Sequence, residues 1–261
     1  NNGNAGTPRT YVAWNWKVNG GTTSSVSGGT NITNGTSGNA TVQANTTSGI
    51  SIVTFQNTIR STDFCTFPHG LGTTPDMIML KSRDSANYWA INHSAEGLKL
   101  GFLGGSLGDD AFVSSTFWNT INDTTVKFQS NGNLAGTNED IIAYCLHSVE
   151  GYSKFGSYIG NGSATNGTFV YTGFAVKYLM TKRTNSAGGW IILDSARSPY
   201  NVRQNILSAQ SSGADTDTTY IVVDFLSNGF KFRISGDPNT GNAPNIYMAF
   251  AESPFKYATA Q

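Results

Sequence analysis

One stretch of this chain occurs twice. Met77–Ala95, MIMLKSRDSANYWAINHSA, aligns without a gap on Tyr178–Ala196, YLMTKRTNSAGGWIILDSA. The copies share Met79/Met180, Lys81/Lys182, Ser85/Ser186, Ala86/Ala187, Trp89/Trp190, Ile91/Ile192, Ser94/Ser195 and Ala95/Ala196, all at one spacing. Unrelated sequence would give about one match over such a window, so the chain is an internal repeat. Each copy has two short apolar runs around a middle rich in Ser, Asn, Asp and Gly, which is the pattern of a β-hairpin with a long loop. The tryptophans Trp89 and Trp190 are expected to anchor the core of their own copy, where a large ring buries most apolar surface.

Further matches extend the repeat downstream. Phe102-Leu103 resembles Ile206-Leu207, and Val126-Lys127-Phe128 resembles Phe230-Lys231-Phe232. Ile142-Ala143-Tyr144 resembles Met248-Ala249-Phe250, which makes Ala143 and Ala249 a second pair of repeat anchors. The offset grows along the chain, as insertions in surface loops would make it.

The residue types favour strands. Gly occurs 30 times, charged residues make up 12%, and Glu occurs only four times, so helix formers are scarce and turn and strand formers abundant. Tyr220–Ile234 contains Phe230, Phe232 and Ile234 alternating with Lys231 and Arg233, with Asn228-Gly229 before them as the expected hairpin turn. The expected fold is all-β: two tandem homologous antiparallel β-sandwiches, at 51–150 and 151–261. Residues 19–50 hold almost no large apolar side chain and are expected as an extended arm or linker. Tyr11-Val12-Ala13-Trp14 resembles Ile141–Tyr144 and Tyr247–Phe250, so residues 1–18 are expected to end in the last strand of an upstream repeat.

Charge and motifs exclude several functions. The net charge is zero, so no nucleic-acid surface is expected, and no apolar run is long enough for a membrane span. Cys65 and Cys145 are expected as buried free thiols. His69, His93 and His147 lack metal-ligand spacing. The acid pairs Asp109-Asp110, Glu139-Asp140 and Asp215/Asp217 do not recur between copies, which argues against the paired carboxylates of a glycosidase. Asp215/Asp217 also lacks the further oxygen ligands of a calcium loop. No catalytic, cofactor-binding or metal-ligating residue stands out, and no enzyme or cofactor is expected. Trp118, beside Phe117, and Tyr200 lie in loop-like contexts and are the candidate surface-binding aromatics, with core packing as the competing use.

EGYSKFGSYIGNGSATNGTFVYTGF (Glu150–Phe174), DSARSPYNV (Asp194–Val202), DFLSNGFKFR (Asp224–Arg233), YMAFAESPFKY (Tyr247–Tyr257) and the opening YVAWNWK together resemble repeat modules of tailed-bacteriophage virion proteins, of the marine and cyanobacterial phage type. The resemblance implies tandem β-sandwiches in a non-enzymatic, virion-exposed structural protein, such as a tail fibre, head fibre or capsid decoration. It implies a homo-oligomer, a trimer by analogy with fibres, in contact with other virion proteins and with a host surface glycan or protein. A carbohydrate-binding module or adhesin outside any phage, and a glycan depolymerase, are the rival readings.

Overall fold

A strand that is apolar on both faces is stable only between two layers. IIAYCL and IYMAF are such strands, and they lie in the middle of this molecule. The computed structural model describes residues 12–60, 62–104, 110–214, 216–217 and 223–252. Residues 1–11 of the expected upstream strand, and the Tyr220–Val222 part of the expected hairpin, lie outside the described residues.

The first half contains β1 (Ser24–Val26), β2 (Ile32–Thr33), β3 (Ala40–Asn45), β4 (Ile50–Asn57), β5 (Phe64–Pro68) and β6 (Met77–Ser82). It continues with β7 (Trp89–His93), β8 (Gly101–Leu103), β9 (Trp118–Ile121), β10 (Thr125–Gln129) and β11 (Asp140–Leu146). The second half contains β12 (Ser153–Ile159), β13 (Phe169–Tyr171), β14 (Val176–Arg183), β15 (Ile191–Asp194) and β16 (Asn205–Ser208). It ends with β17 (Thr216–Asp217), β18 (Val223–Leu226), β19 (Gly229–Phe232) and β20 (Pro244–Ala251). All pairings between these strands are antiparallel, and the fold is all-β.

The two halves share a core strand order, with β4-β11-β6-β7-β8 matching β12-β20-β14-β15-β16. The first large sheet runs β1-β3-β4-β11-β6-β7-β8, with β2 also on β4, and the second runs β12-β20-β14-β15-β16-β17. The small sheets run β5-β10-β9 and β13-β19-β18. Each small sheet packs on its large sheet to make a sandwich. Phe67, Val126 and Phe128 meet Val53, Leu80 and Ala143 in the first core; Val170, Phe230 and Phe232 meet Leu179, Leu193 and Ala249 in the second.

The repeated stretches form the hairpins β6–β7 and β14–β15. Their shared lysines tie the loops down: Lys81 Nζ donates to the Ser85 carbonyl at 2.7 Å, and Lys182 Nζ donates to the Gly188 carbonyl. The shared Met79/Met180, Trp89/Trp190 and Ile91/Ile192 do something else. They face a third apolar layer in which the two large sheets pack against each other, together with Met77, Leu146, Ile246, Met248 and Phe250. The molecule is therefore four sheets deep.

Six expectations are corrected. Trp89 and Trp190 do not anchor their own cores; they belong to the layer between the sandwiches, where Trp190 is buried and Trp89 half-buried. Trp190 Nε1 donates across that layer to the Phe102 carbonyl at 2.7 Å. Ala143 and Ala249 are both core residues but not equivalent. Leu146 and Phe250 face Met77 and Tyr178, which begin the two copies, so Cys145 is the counterpart of Ala249 and Tyr247 that of Ala143. The slip is two residues, which keeps every side chain on its face and so leaves no trace in the hydrophobic pattern. Leu103 likewise corresponds to Ala209 rather than Leu207, since these two stand beside Trp89 and Trp190.

Residues 24–45 are not a linker. They add β1 and β3 to the first large sheet and bury Ile32, Ala40 and Val42 in its core. A few small apolar residues suffice there because the strand only has to close a sandwich edge that already exists. Residues 12–18 form no strand. They run beside the large sheets, burying Val18 and stacking Trp14 and Trp16 edge-on against Tyr178 at 5.3 and 5.6 Å. Finally, the hairpin before Phe230 turns at Ser227-Asn228, because Gly229 already pairs with Leu226. Gly229 is needed for close approach instead: a Cβ there would lie 2.1 Å from the Val170 carbonyl oxygen.

Candidate functional site

The outer face of the second small sheet exposes two aromatic side chains in line. In Phe169-Val170-Tyr171 the valine points into the core, and period-two alternation puts both rings outside, about 7 Å apart. They are 46% and 59% exposed. Across the sheet Phe169 faces Lys231, and Tyr171 faces Gly229. The glycine lets the Phe169 ring lie close over the sheet: a Cβ at Gly229 would fall 3.2 Å from Phe169 Cε2. Lys154 lies 5.4 Å from the Tyr171 ring centroid and donates to the Tyr171 carbonyl at 3.3 Å.

Polar groups surround the rings and are held in place. Lys231 Nζ donates to Asn166 Oδ1 at 2.9 Å. Arg233 pairs with Asp224 at 2.6 Å and also donates to the Thr165 carbonyl. The result is a shallow platform of two ring faces, a lysine, an arginine–aspartate pair and an amide. That chemistry suits the apolar C–H face and the hydroxyl rim of a sugar.

The first sandwich has no such platform. Opposite Lys127 stands Thr66 where Phe169 stands opposite Lys231, and opposite Thr125 stands Pro68. A polar recess of about 400 Å³ lies elsewhere on it, lined by Asn34, Thr41, Thr54, Gln56, Arg83 and Asp140. An apolar cavity of about 420 Å³ lies between the large sheets, among Trp16, Met79, Tyr144, Met180 and Met248. It offers no charged group that could orient a ligand.

Of the two surface aromatics expected from sequence, Trp118 is a core residue: it packs edge-on against Phe117 at 4.9 Å and donates from Nε1 to the Ile91 carbonyl at 3.2 Å. It starts β9, and its strand places it inside. Tyr200 is 82% exposed on the loop after β15, next to Asn201, whose side chain bonds the Phe225 backbone of β18. Phe169 and Tyr171 went unnoticed because FVY is short. Its signal was the alternation itself, with both in-phase positions aromatic.

The titratable groups are structural. His69 and His93 are buried, and burial lowers their pKa values. His93 Nδ1 accepts from Ala95 N–H at 3.2 Å, and its counterpart Asp194 accepts from Ala196 N–H at 2.9 Å, so two different residues make the same turn. His147 contacts Asp76 at 3.3 Å. Burial acts to raise the Glu139 pKa, but hydrogen bonds from Ser85, Gly136 and Ser82 outweigh it and hold the carboxylate low. Cys65 and Cys145 are buried free thiols, and burial pushes Cys65 up to about 12. Asp109 and Asp215 lie outside the described residues. Among the described residues no cluster of His, Cys, Asp and Glu could hold a metal, and no helix is long and apolar enough to cross a membrane.

No curated protein and no solved structure matches this chain. Residues 1–254, nearly its whole length, match one family, and the chain belongs to it: DUF7483, a domain of unknown function.

Proposed function

We propose that the chain is a non-enzymatic structural and attachment module of a tailed-phage virion, part of a tail fibre or of another surface-exposed fibre or decoration. The observation that carries the reading is the back-to-back packing of two sandwiches of one core strand order. Their shared apolar layer joins the two sandwiches into a four-sheet block whose outer faces are turned to partners. The phage assignment rests on the motif resemblance. Within it, the platform of Phe169, Tyr171 and Lys231 is the surface that would meet a host glycan. Weak contacts there would be multiplied by copy number in a homo-oligomer, a trimer by the fibre analogy.

The test is direct. Antibody against the chain should label intact particles, and the protein should bind host-surface polysaccharide in a way that Phe169→Ala/Tyr171→Ala abolishes. Absence of the chain from purified particles would overturn the virion assignment. Binding that survives the double substitution would overturn the platform.

A second reading, a carbohydrate-binding module outside any virion, uses the same platform. It is favoured if a monomer binds glycan and the chain is absent from particles.

A further inference from the structure

We infer that the space between the two large sheets is a binding site for a single-chain amphiphile with an anionic head, a long-chain carboxylate. Its alkyl chain fills the apolar cavity and its head stays at the rim. The inference needs neither the glycan platform nor the virion assignment.

Two kinds of interior in this molecule are packed differently. In the sandwich cores Val53, Leu80 and Ala143, and Leu179, Leu193 and Ala249, are all 0% exposed. Between the sandwiches the residues around the cavity keep some accessible surface, from 4% for Met180 to 6% for Ile192, Met248 and Phe250. Close-packed interiors leave few voids larger than a water molecule, and this one measures about 420 Å³. A void so apolar is a poor site for water and lies in the size range of small-molecule pockets. Its walls are also adaptable. Three of the chain's four methionines, Met79, Met180 and Met248, line it, and the unbranched thioether reshapes around guests of different outline.

The cavity has an outer vestibule. Residues Ala13–Trp16 line a second recess of about 270 Å³, and Trp16, Tyr178 and Phe250 line both spaces. The Trp16 ring is 38% exposed and stands 5.6 Å from Tyr178 and 5.2 Å from Phe250. Its segment forms no strand and is tied down at Val18, whose carbonyl accepts from Gln43 Nε2. A part-exposed ring on such a segment is a wall that a side-chain rotation opens.

Charge fixes the nature of the guest. Among the described residues the cavity walls carry no charged side chain, so only an uncharged chain can enter. The charge stands outside: Lys177 lines the vestibule, and Lys17, next to Trp16, is exposed. Lys177 meets Glu252 at 3.5 Å with both side chains about half exposed, a pair that contributes little. Its ammonium has three N–H donors, enough for a second carboxylate. An apolar tail behind Trp16 and an anionic head beside Lys177 match both spaces at once.

The experiment titrates the full chain with straight-chain carboxylates of rising length, below their micelle-forming concentrations, read by calorimetry and by displacement of a neutral naphthylamine dye. Affinity should rise about fourfold per added methylene and level off once the cavity is full. An alcohol of the same length should bind more weakly, and a trimethylammonium more weakly still. Lys177→Ala should cost the carboxylate about threefold and leave the alcohol unchanged. Ala209 lines the cavity, so Ala209→Leu should lower the affinity of the longest chain about tenfold. Met180→Ala should move the plateau to longer chains, an effect that a folding defect does not imitate. Each of these results would overturn the proposal: no binding of any carboxylate; affinity indifferent to chain length; equal affinity for carboxylate and ammonium heads; a plateau unmoved by Met180→Ala; or retention on phosphatidylcholine vesicles in place of binding to the monomeric chain. Glycan binding should be untouched by Lys177→Ala and Ala209→Leu, so the platform and the cavity fail separately.

Discussion

The two sandwiches agree inside and differ at their rims. Their common strands follow one order, β4-β11-β6-β7-β8 matching β12-β20-β14-β15-β16, and the faces that meet between them carry the residues their sequences share: Met79 and Met180, Trp89 and Trp190, Ile91 and Ile192. Outside, the first sandwich adds β1, β2 and β3 beyond β4 and carries Thr66 and Pro68 on its small sheet, while the second has only the Val149–Ser153 bridge beyond β12 and carries Phe169 and Tyr171. The lesson is that identity between copies marks the layer through which they hold each other. The differences mark where each copy meets something else.

The largest expected effect tests the shared layer. Trp190→Ala removes a buried ring and its bond to the Phe102 carbonyl, and should cost about 3–5 kcal/mol in denaturant unfolding. Trp89→Ala, at the equivalent but half-buried position, should cost clearly less. Equal costs would mean that the layer is not what the two tryptophans serve.

Next comes the segment that closes the first sandwich. Ile32 is buried in the first core, so Ile32→Ala should cost about 2–5 kcal/mol. A linker residue would cost nothing.

A smaller effect separates the halves by pH. Burial lowers the pKa of His93 and His69 below 6.5, and all three histidines lie in the first half. The unfolded chain then binds more protons than the folded one below 6.5. Stability is therefore full above that pH and lost as pH falls toward the folded values. The denaturation midpoint should fall between pH 7 and pH 5, roughly the window of an ordinary histidine. His93→Asn keeps an acceptor for Ala95 N–H and should flatten the decline. The second sandwich makes the same turn with Asp194 and contributes no such term through histidine.

The smallest effect is on the platform. Phe169→Ala and Tyr171→Ala should each change stability by no more than about 0.5 kcal/mol, since both rings are exposed. A large loss would show that the rings support the fold rather than face a ligand.

Much of the architecture was legible in the sequence. The repeat, the hairpins and the all-β class follow from the spacing of Trp89 and Trp190 and from period-two alternation. The stacking of the sandwiches was legible too, but only by noticing that MIML and IIAYCL are apolar at both phases, a pattern that needs a layer on each side. Ala143 and Ala249 misled because a two-residue slip preserves both chemistry and face. Residues 24–45 misled because composition reports whether a segment can fold alone, not whether it can complete a sheet. Trp118 misled because a loop-like neighbourhood in sequence can begin a buried strand. The platform was hidden in three residues, and its surroundings, Lys231, Asp224 and Arg233, lie more than fifty residues away in sequence.

The central claim is that the shared apolar layer makes one unit of two sandwiches. Amide hydrogen exchange in rising denaturant tests it directly, read at the central strands β11 and β20. The account predicts one opening transition with the same midpoint at Ala143 and Ala249, as a single cooperative unit requires. Retention of β20 protection after β11 has exchanged, or the reverse, would contradict it and leave two independent beads on a string.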